Sequence, residues 1–347
     1  IEQSQFIKIR PDDPSGFINR GVTNNLLGLY HEAISDFEKA IQLNSENATC
    51  YINRARSYAQ LGQFESAFED LDRAIAIDPA SSQAYSIRGD ILFDLAKYDP
   101  AIKEFEIAIN FHPNQEALYV GRGLCYHELK NFHAAFKDFS TAIKINPKCV
   151  EAYNNRGITN KDLGKWEEAF SDYAQALNIS PNNSPTYISR SQLYLSLKLF
   201  DKAIDDCTRA IELSPGKATA YSTRGHIYFL MNNIDMALKD CNQAIQIDPN
   251  CVEAYFNLGI IFDNIDDLNK SLASYCKAIS LKPNFANAYL NRGTIYGSLD
   301  KANLALDDLN TAIKLDPELQ HAYLNRGTLY SKLKKYELAL DDFNQAI

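Results

Sequence analysis

The amino-acid sequence predicts an all-α fold built from about ten copies of one two-helix repeat. Alanine recurs every 34 residues along the chain, and proline recurs at the same interval between copies. Within each copy, apolar residues follow the three- and four-residue spacing of amphipathic helices, and no strand pattern is present. Such a period is typical of solenoids, in which each repeat packs on its neighbours. The alanines are Ala40, Ala74, Ala108, Ala142, Ala176, Ala210, Ala244, Ala278, Ala312 and Ala346.

The period also sets the expected boundaries. Residues 1–13 match the end of a copy, so we interpret them as the end of a preceding repeat. No linker rich in proline, glycine or serine interrupts the remainder, so we expect one continuous array. Both ends of the chain cut through a copy, which favours a piece of a longer repeat protein. The expected repeats are 14–47, 48–81, 82–115, 116–149, 150–183, 184–217, 218–251, 252–285, 286–319 and 320–347.

Each repeat is expected to hold two helices joined by a short turn. In the fourth repeat, apolar and aromatic residues return at helical spacing from Tyr119 to Leu129 and again from Phe132 to Ile143. Proline closes the second helix, and residues suited to a left-handed conformation occupy the turn between the helices. These turn residues include Gly28, Gly62, Gly164 and Asn232.

Glycine inside the first helix predicts close packing of the two helices. A glycine costs a helix interior about 1 kcal/mol relative to alanine. It nevertheless recurs at one position of most repeats, so we expect the second helix to approach it closely. The aromatic residue four positions earlier is expected to fill the seam between repeats. The glycines are Gly21, Gly89, Gly123, Gly157, Gly225, Gly259, Gly293 and Gly327.

The charge of the chain excludes several classes of partner. The formal net charge is −9 and is spread along the sequence. A protein that binds the nucleic-acid backbone needs a basic stripe, so no nucleic-acid partner is expected. The same charge argues against anionic membrane surfaces. No apolar run approaches the roughly 20 residues of a membrane span, so no membrane partner is expected.

Neither a catalytic set nor a cofactor site is predicted. The sequence has no glycine-rich phosphate loop, no Ser/His/Asp set beyond chance, and no metal-like spacing of its six histidines. The seven cysteines include no CxxC pair and are interpreted as small core residues. This usage is typical of a reducing compartment, so a cytoplasmic location is expected.

The repeated pattern closely resembles the tetratricopeptide repeat family. In the ninth repeat it reads Tyr289, Gly293, Tyr296, Ala305 and Pro317, and equivalent residues recur throughout the chain. The resemblance implies antiparallel helix pairs stacked into a right-handed superhelix, or α–α solenoid. It also implies a concave groove, lined by the first helices, that holds peptides or extended segments of other proteins.

Arginine and an acidic residue vary together between repeats. Nine repeats carry both, and the eighth carries neither, with Leu258 and Ser274 in their places. We infer that each arginine and acid form a partly buried, charge-assisted bond across the helix pair. A basic ladder for an acidic ligand is the alternative. The pairs are Arg20–Asp36, Arg54–Asp70, Arg88–Glu104, Arg122–Asp138, Arg156–Asp172, Arg190–Asp206, Arg224–Asp240, Arg292–Asp308 and Arg326–Asp342.

A partial asparagine ladder on the first helices is the main candidate partner-binding site. Asparagine offers both donors and an acceptor, so it can hold a peptide backbone whatever its side chains. The ladder resembles the asparagine-lined groove of the O-linked N-acetylglucosamine transferase repeats, with interruptions at Ile87, Gly121, Ser189 and Thr223. Solvated asparagines on a helix face are the alternative. The ladder comprises Asn19, Asn53, Asn155, Asn257, Asn291 and Asn325.

Apolar side chains near the C-terminal end form a second candidate site. Phe256, Ile260, Leu290 and Leu324 are expected to project beside the ladder. Such a patch suits an extended or helical segment of a partner. Packing against the adjoining repeat is the alternative.

Charged residues on the first helices lead to two further expectations. An acidic stretch suits a basic partner, with ordinary solvated charge as the alternative. Co-chaperone repeats grip an acidic C-terminal tail with lysine, asparagine and arginine, and no repeat here supplies that set. An EEVD-type tail is therefore not expected as a ligand. The acidic residues are Asp90, Asp94, Glu128 and Asp162.

The sequence therefore favours a non-enzymatic protein–protein interaction scaffold that binds a peptide or extended segment of a partner protein in its concave groove. The alternative is a substrate-recruiting arm of a larger enzyme, similar to the O-linked N-acetylglucosamine transferase. A catalytic domain elsewhere in a longer chain would distinguish the two.

Overall fold

The computed structural model describes residue 7 and residues 10–346, and it confirms the all-α class. These residues contain no strand. The helices are α1 (Pro14–Leu26), α2 (Tyr30–Leu43), α3 (Ala48–Gln60), α4 (Phe64–Ile77), α5 (Ser82–Asp94), α6 (Tyr98–Phe111), α7 (Glu116–Glu128), α8 (Phe132–Ile145), α9 (Val150–Asp162), α10 (Trp166–Ile179), α11 (Ser184–Ser196), α12 (Phe200–Leu213), α13 (Ala218–Leu230), α14 (Ile234–Ile247), α15 (Val252–Asn264), α16 (Leu268–Leu281), α17 (Ala286–Ser298), α18 (Ala302–Leu315), α19 (Gln320–Lys332) and α20 (Tyr336–Gln345).

The helices group into two compact bodies. The N-terminal body is Ile1–Pro181 and holds α1 to α10, and the C-terminal body is Asn182–Ile347 and holds α11 to α20. Within each body, every odd-numbered first helix packs on the even-numbered second helix of its repeat, and that second helix packs on the next first helix. One continuous array remains a prediction. The assignment of residues 1–13 to a preceding repeat falls largely outside the described residues.

The turn between the two helices has the expected left-handed residue. Gly28, Gly62 and Gly164 have φ of 75°, 71° and 72°. Other repeats place residues such as Asn232, with φ of 59°, at the same point. One left-handed residue ends the first helix and lets the chain reverse direction within a few residues. Every repeat can therefore form a tight antiparallel pair.

Aromatic rings of the second helices lie directly against the first-helix glycines. A Cβ atom added to Gly157 would stand 2.6 Å from Cε1 of Tyr173, and one added to Gly259 would stand 2.5 Å from Cε1 of Tyr275. Both rings are almost fully buried. The expected close approach is confirmed, since only glycine leaves room for these rings.

The predicted arginine–acid pairs all form. In each of the nine repeats, the guanidinium donates across the helix pair to the acid 16 residues later. Arg190 is typical: its Nε and Nη2 donate to Asp206 at 2.8 and 2.7 Å. Asp206 is only 6% exposed. Because the carboxylate neutralises the arginine, these residues fix how the two helices of a repeat pack and do not form a free basic ladder.

Arginine also links neighbouring repeats. The remaining guanidinium nitrogen of Arg224 donates to Thr208 Oγ1 at 3.1 Å, and that of Arg326 donates to Asn310 Oδ1 at 2.6 Å. The tyrosines three positions before and four positions after the arginine flank it in most repeats, with ring centroids 5.3–6.0 Å from the guanidinium carbon. Arg224 and Arg326 therefore each join an acid, aromatic rings and the preceding repeat.

Candidate partner-binding site

The first helices of successive repeats form one face of each body, which we call the first-helix face. In the N-terminal body, Asn19 is exposed on it and Asn155 is half-buried. Asn53 is only 8% exposed, and its Nδ2 donates to Thr49 O of its own helix at 2.9 Å. Its amide donor is used within the chain, because the side chain folds back along α3.

In the C-terminal body, the ladder asparagines join repeats to one another. Asn257 Nδ2 donates to Ser222 O at 3.1 Å, and Asn291 Nδ2 donates to Tyr275 Oη at 3.2 Å. Asn325 Nδ2 donates to Thr294 Oγ1 at 2.8 Å. Each of these amides contacts the preceding repeat, so the ladder holds the stack together along this face. Binding of a partner backbone by these residues remains a prediction.

The expected apolar patch is divided by the structure. Leu290 is only 7% exposed and packs with Leu309, so the expectation that it projects outward was wrong. Phe256 packs on Phe285 with ring centroids 4.6 Å apart, and Ile260 belongs to the same cluster. The cluster also contains Ala288 and Ile295 of the adjoining repeat. These apolar side chains pack together because the contact removes their surfaces from water.

Leu324 is the one member of that patch which projects. It is 47% exposed and lines a cavity of about 350 Å³ with His321 and Phe343. This cavity does not include Asn325, although the two residues are consecutive. Leu324 and the ladder residue Asn325 therefore line different cavities.

A second cavity, of about 200 Å³, opens on the first-helix face between α17 and α19. We call it the groove cavity. Part of its floor is Leu309, which lies beneath Gly293; six other repeats hold a ring at this position, such as Phe139 or Tyr275, and three hold Leu71, Cys207 or Cys241. Glycine at 297 removes a further side chain from its wall. Its lining residues are Gly293, Thr294, Gly297, Ser298, Leu309, Asn325, Thr328, Leu329 and Lys332.

Sequence reasoning found only Asn325 among these lining residues. The sequence could have pointed to Gly297, because this glycine lies outside the position, that of Gly293, which most repeats share. Its absent Cβ would be 3.9 Å from the nearest atom, Ala305 Cβ, so no tight contact requires glycine there. The groove cavity combines an apolar floor, hydroxyl groups on its wall, and the exposed Lys332 ammonium.

The acidic stretch of the N-terminal body is partly neutralised. Asp162 accepts a hydrogen bond from His127 Nε2 at 3.0 Å and lies 3.1 Å from Lys161 Nζ. Burial acts to raise the pKa of Asp162, but the bonds from His127 and Lys161 together hold it below its usual value. Asp90 differs: it is exposed at its outer edge, but the groups packed around its carboxyl, and then the charge of Asp94, raise its pKa to about 6, and solvent screens the effect on stability.

Replacing Asp90 by asparagine is expected to stabilise the protein in a pH-dependent way. The folded-state pKa of about 6 lies above the usual 3.8. The folded chain therefore binds this proton more tightly, and the contribution of Asp90 to stability is lost as pH rises through about 6. Asp90→Asn should unfold at a higher temperature than the wild type at pH 7.5. The difference should shrink by about pH 4, where both side chains are neutral. If Asp90→Asn raised the unfolding temperature by the same amount at every pH, the raised pKa of Asp90 would be contradicted.

The described residues contain neither a metal-like cluster nor a helix that could span a membrane. In residue 7 and residues 10–346, no three His, Cys, Asp or Glu side chains cluster as metal ligands would. Within the same part of the chain, none of the helices combines the length and apolar character needed to cross a bilayer.

Comparison with known proteins gives one family. Family models described as tetratricopeptide repeat match most of the chain. A search of curated protein sequences gives no match. The matched residues are 27–91, 117–149, 150–183, 184–217, 218–251, 252–285, 286–319 and 322–347.

Solved structures share the fold at low sequence identity. The Cut9–Hcn1 hetero-tetramer of APC/C gives a TM-score of 0.63 at 16% identity, covering 96% of this chain and 72% of that one. Yeast Tom70 gives 0.58 at 17% identity, covering 99% and 86%. A monomeric IFIT1 mutant with Gppp-AAAA gives 0.63 at 14% identity, covering 96% and 90%. At such identities the similarity concerns the fold alone.

Proposed function

Since the chain belongs to the tetratricopeptide repeat family, whose repeats form protein–protein interaction scaffolds, we propose that it holds an extended segment of a partner protein on its first-helix face. The proposed contact is centred on the groove cavity between α17 and α19. The single observation that carries this proposal is the cavity itself, whose wall lacks a side chain at Gly297.

The lining of the groove cavity indicates the occupant. Its floor of Gly293 and Leu309 is apolar, and its volume of about 200 Å³ suits one aliphatic side chain. Thr328 and Ser298 donate their hydroxyls to Leu324 O and Ile295 O at 2.8 Å, and their oxygens can still accept a bond from a peptide N–H. Lys332 is exposed beside them and favours a carboxylate next to the inserted side chain. The proposed ligand is an extended segment with an aliphatic residue flanked by an acidic one.

A displayed library of random peptides, selected on the wild-type chain alone and then measured against Gly297→Leu, tests the proposal. A Cβ at Gly297 would make only an ordinary contact with Ala305 Cβ at 3.9 Å, so the leucine is expected to fill the groove cavity that Gly297 lines. Selected peptides should share the aliphatic–acidic pair and bind Gly297→Leu at least about tenfold more weakly, the equivalent of 1.4 kcal/mol. Circular dichroism of the variant checks that its helices remain.

Leu304→Ser is the matched control. Leu304 is 46% exposed on α18, does not line the groove cavity, and should therefore be replaceable without effect on peptide affinity. Peptides that bind the wild type and Gly297→Leu equally well would contradict the proposal, as would equal losses in both variants.

The enzyme-arm alternative depends on a catalytic domain elsewhere in a longer chain, and the asparagine ladder that suggested it gives it less support once the side chains are placed. Asn53 donates within its own helix, and Asn257 donates to the preceding repeat. The cytoplasmic location, the absence of nucleic-acid partners and the absence of an EEVD-type ligand remain predictions.

A further inference from the structure

Residues at the ends of three successive first helices carry opposite charges on the two sides of the groove cavity. Gly297 and Ser298 of α17 line the cavity close to the end of their helix. One repeat earlier, Asp263 of α15 holds the repeat position of Gly297. One repeat later, Lys332 of α19 holds the repeat position of Ser298. This row therefore runs from an acid, past the cavity, to a base.

Asp263 lies close to the contact between α16 and α17. Burial, and also the charge of Asp263, act to raise the pKa of the Tyr275 hydroxyl, so the carboxylate lies near that hydroxyl. The same hydroxyl accepts a hydrogen bond from Asn291 Nδ2 of α17 at 3.2 Å. A segment that leaves the groove cavity across α17 therefore meets the Asp263 carboxylate next.

Neither of the two charges has a counter-charge within the chain. Asp263 and Lys332 are both exposed, and no side chain that the structure describes bonds to the carboxylate or to the ammonium group. The groups packed around Asp263, and then the charge of Asp266, raise its pKa, whereas a bound cation would lower it. An acid in the last turn of a helix also opposes the helix dipole, so Asp263 is unfavourable for α15 itself.

The turns that follow the three helices extend the same difference in charge. The turn after α17 is neutral in sum, because it contains one acid and one base, whereas the other two turns are not balanced in this way. The rim of the face is therefore acidic at α15 and basic at α19. The residues are Asp266 after α15, Asp300 and Lys301 after α17, and Lys334 and Lys335 after α19.

We propose, on the basis of the proposed function on which this inference rests, that the segment held at the groove cavity carries a basic residue opposite Asp263 as well as its acidic residue opposite Lys332. Packed helices stand about 8–10 Å apart, so the two charges, two repeats apart, are separated by on the order of 20 Å. An extended chain advances about 3.3 Å per residue, so about six residues separate the two charges of the segment. The aliphatic residue is next to the acidic one, since Lys332 lines the cavity.

The same arrangement selects against segments of a single charge. A segment with acidic residues throughout meets Lys332 favourably but is repelled by Asp263 and Asp266. A segment with basic residues throughout is repelled by Lys332. Because specificity is a difference between affinities, repulsion of both classes favours a segment whose charges run opposite to those of the rim.

Reversal of the charge at Asp263 tests this inference on the peptides selected with the wild-type chain. These peptides should share a lysine or arginine about six positions from their acidic residue. Asp263→Lys should weaken their binding about three- to tenfold in isothermal titration calorimetry, because an attraction between exposed groups becomes a repulsion. A peptide in which that basic residue is replaced by glutamate should bind the wild type more weakly and regain affinity for Asp263→Lys. The variant should keep its helical circular-dichroism spectrum, since lysine near the end of α15 suits the helix dipole.

Asp307→Lys is the matched control. Asp307 is exposed on α18 and does not line the groove cavity, so the same change in net charge there should leave peptide affinity unchanged. Peptides that lose affinity in Gly297→Leu but bind Asp263→Lys as well as the wild type would overturn this inference and leave the proposed function intact. Equal losses in Asp263→Lys and Asp307→Lys would also overturn it, because net charge alone would explain them. Peptides indifferent to Gly297→Leu would contradict the proposed function and this inference with it.

Discussion

Replacing Asp206 by alanine is expected to destabilise α11 and α12 by about 2–3 kcal/mol. Asp206 is 6% exposed and accepts two bonds from Arg190. Its removal leaves the partly buried guanidinium without a counter-charge between the rings of Tyr187 and Tyr194, whose centroids lie 5.5 and 5.8 Å from the guanidinium carbon. The neighbouring Asp205 is exposed, so Asp205→Ala is expected to change stability by less than about 0.5 kcal/mol.

Native-state hydrogen exchange of α11 and α12 is the appropriate measurement, because a repeat array can open locally. Combining Asp206→Ala with Arg190→Ala should cost clearly less than the sum of the two single changes, with a coupling energy of roughly 1–3 kcal/mol. Strict additivity would show that the two side chains do not stabilise each other. Equal losses in Asp205→Ala and Asp206→Ala would show that the position on the helix, and not the pairing, determines the effect.

Replacing Gly259 by alanine is expected to destabilise the eighth repeat by about 1–2 kcal/mol, although alanine is the better helix former. The new Cβ would stand 2.5 Å from Cε1 and 2.7 Å from Cζ of Tyr275. That ring is 1% exposed, and its hydroxyl accepts a bond from Asn291. It cannot move aside without breaking these contacts.

Gly297→Ala is the matched control, because its Cβ would meet only Ala305 Cβ at 3.9 Å. It should raise stability by about 0.5–1 kcal/mol through helix propensity. Hydrogen exchange of α15 and α16, and of α17 and α18, measures the two effects. Tyr275→Leu should relieve much of the additional loss in Gly259→Ala. Equal stabilisation by both glycine replacements would contradict the proposed packing.

The regular part of the fold could be predicted because it is local and repeated. The 34-residue period, the glycines and the covariation of arginine with acid all concern contacts within one helix pair. Such contacts recur in most repeats, so the same residue pattern can be compared several times within one sequence. The pairing of Arg190 with Asp206, for example, follows from the eighth repeat alone lacking both residues.

The candidate site could be predicted only in part, because it depends on departures from the repeat. The sequence predicted that Leu290 projects toward a partner, yet it packs with Leu309 and with residues of the next repeat, contacts that no single repeat shows. The groove cavity opens beside Gly297, which lies outside the glycine position that the repeats share. The missing volume is visible only once the neighbouring helices are in place.

The central claim is that a partner segment lies on the first-helix face at the groove cavity. Chemical-shift mapping with a peptide from the library selection tests it most directly. Binding should shift the backbone amides of Thr294, Gly297, Thr328 and Lys332 on α17 and α19, and leave those of the exposed sides of α18 and α20 unchanged. Shifts confined to α18 and α20, or a bound peptide that leaves Gly297 and Thr328 unaffected, would contradict it.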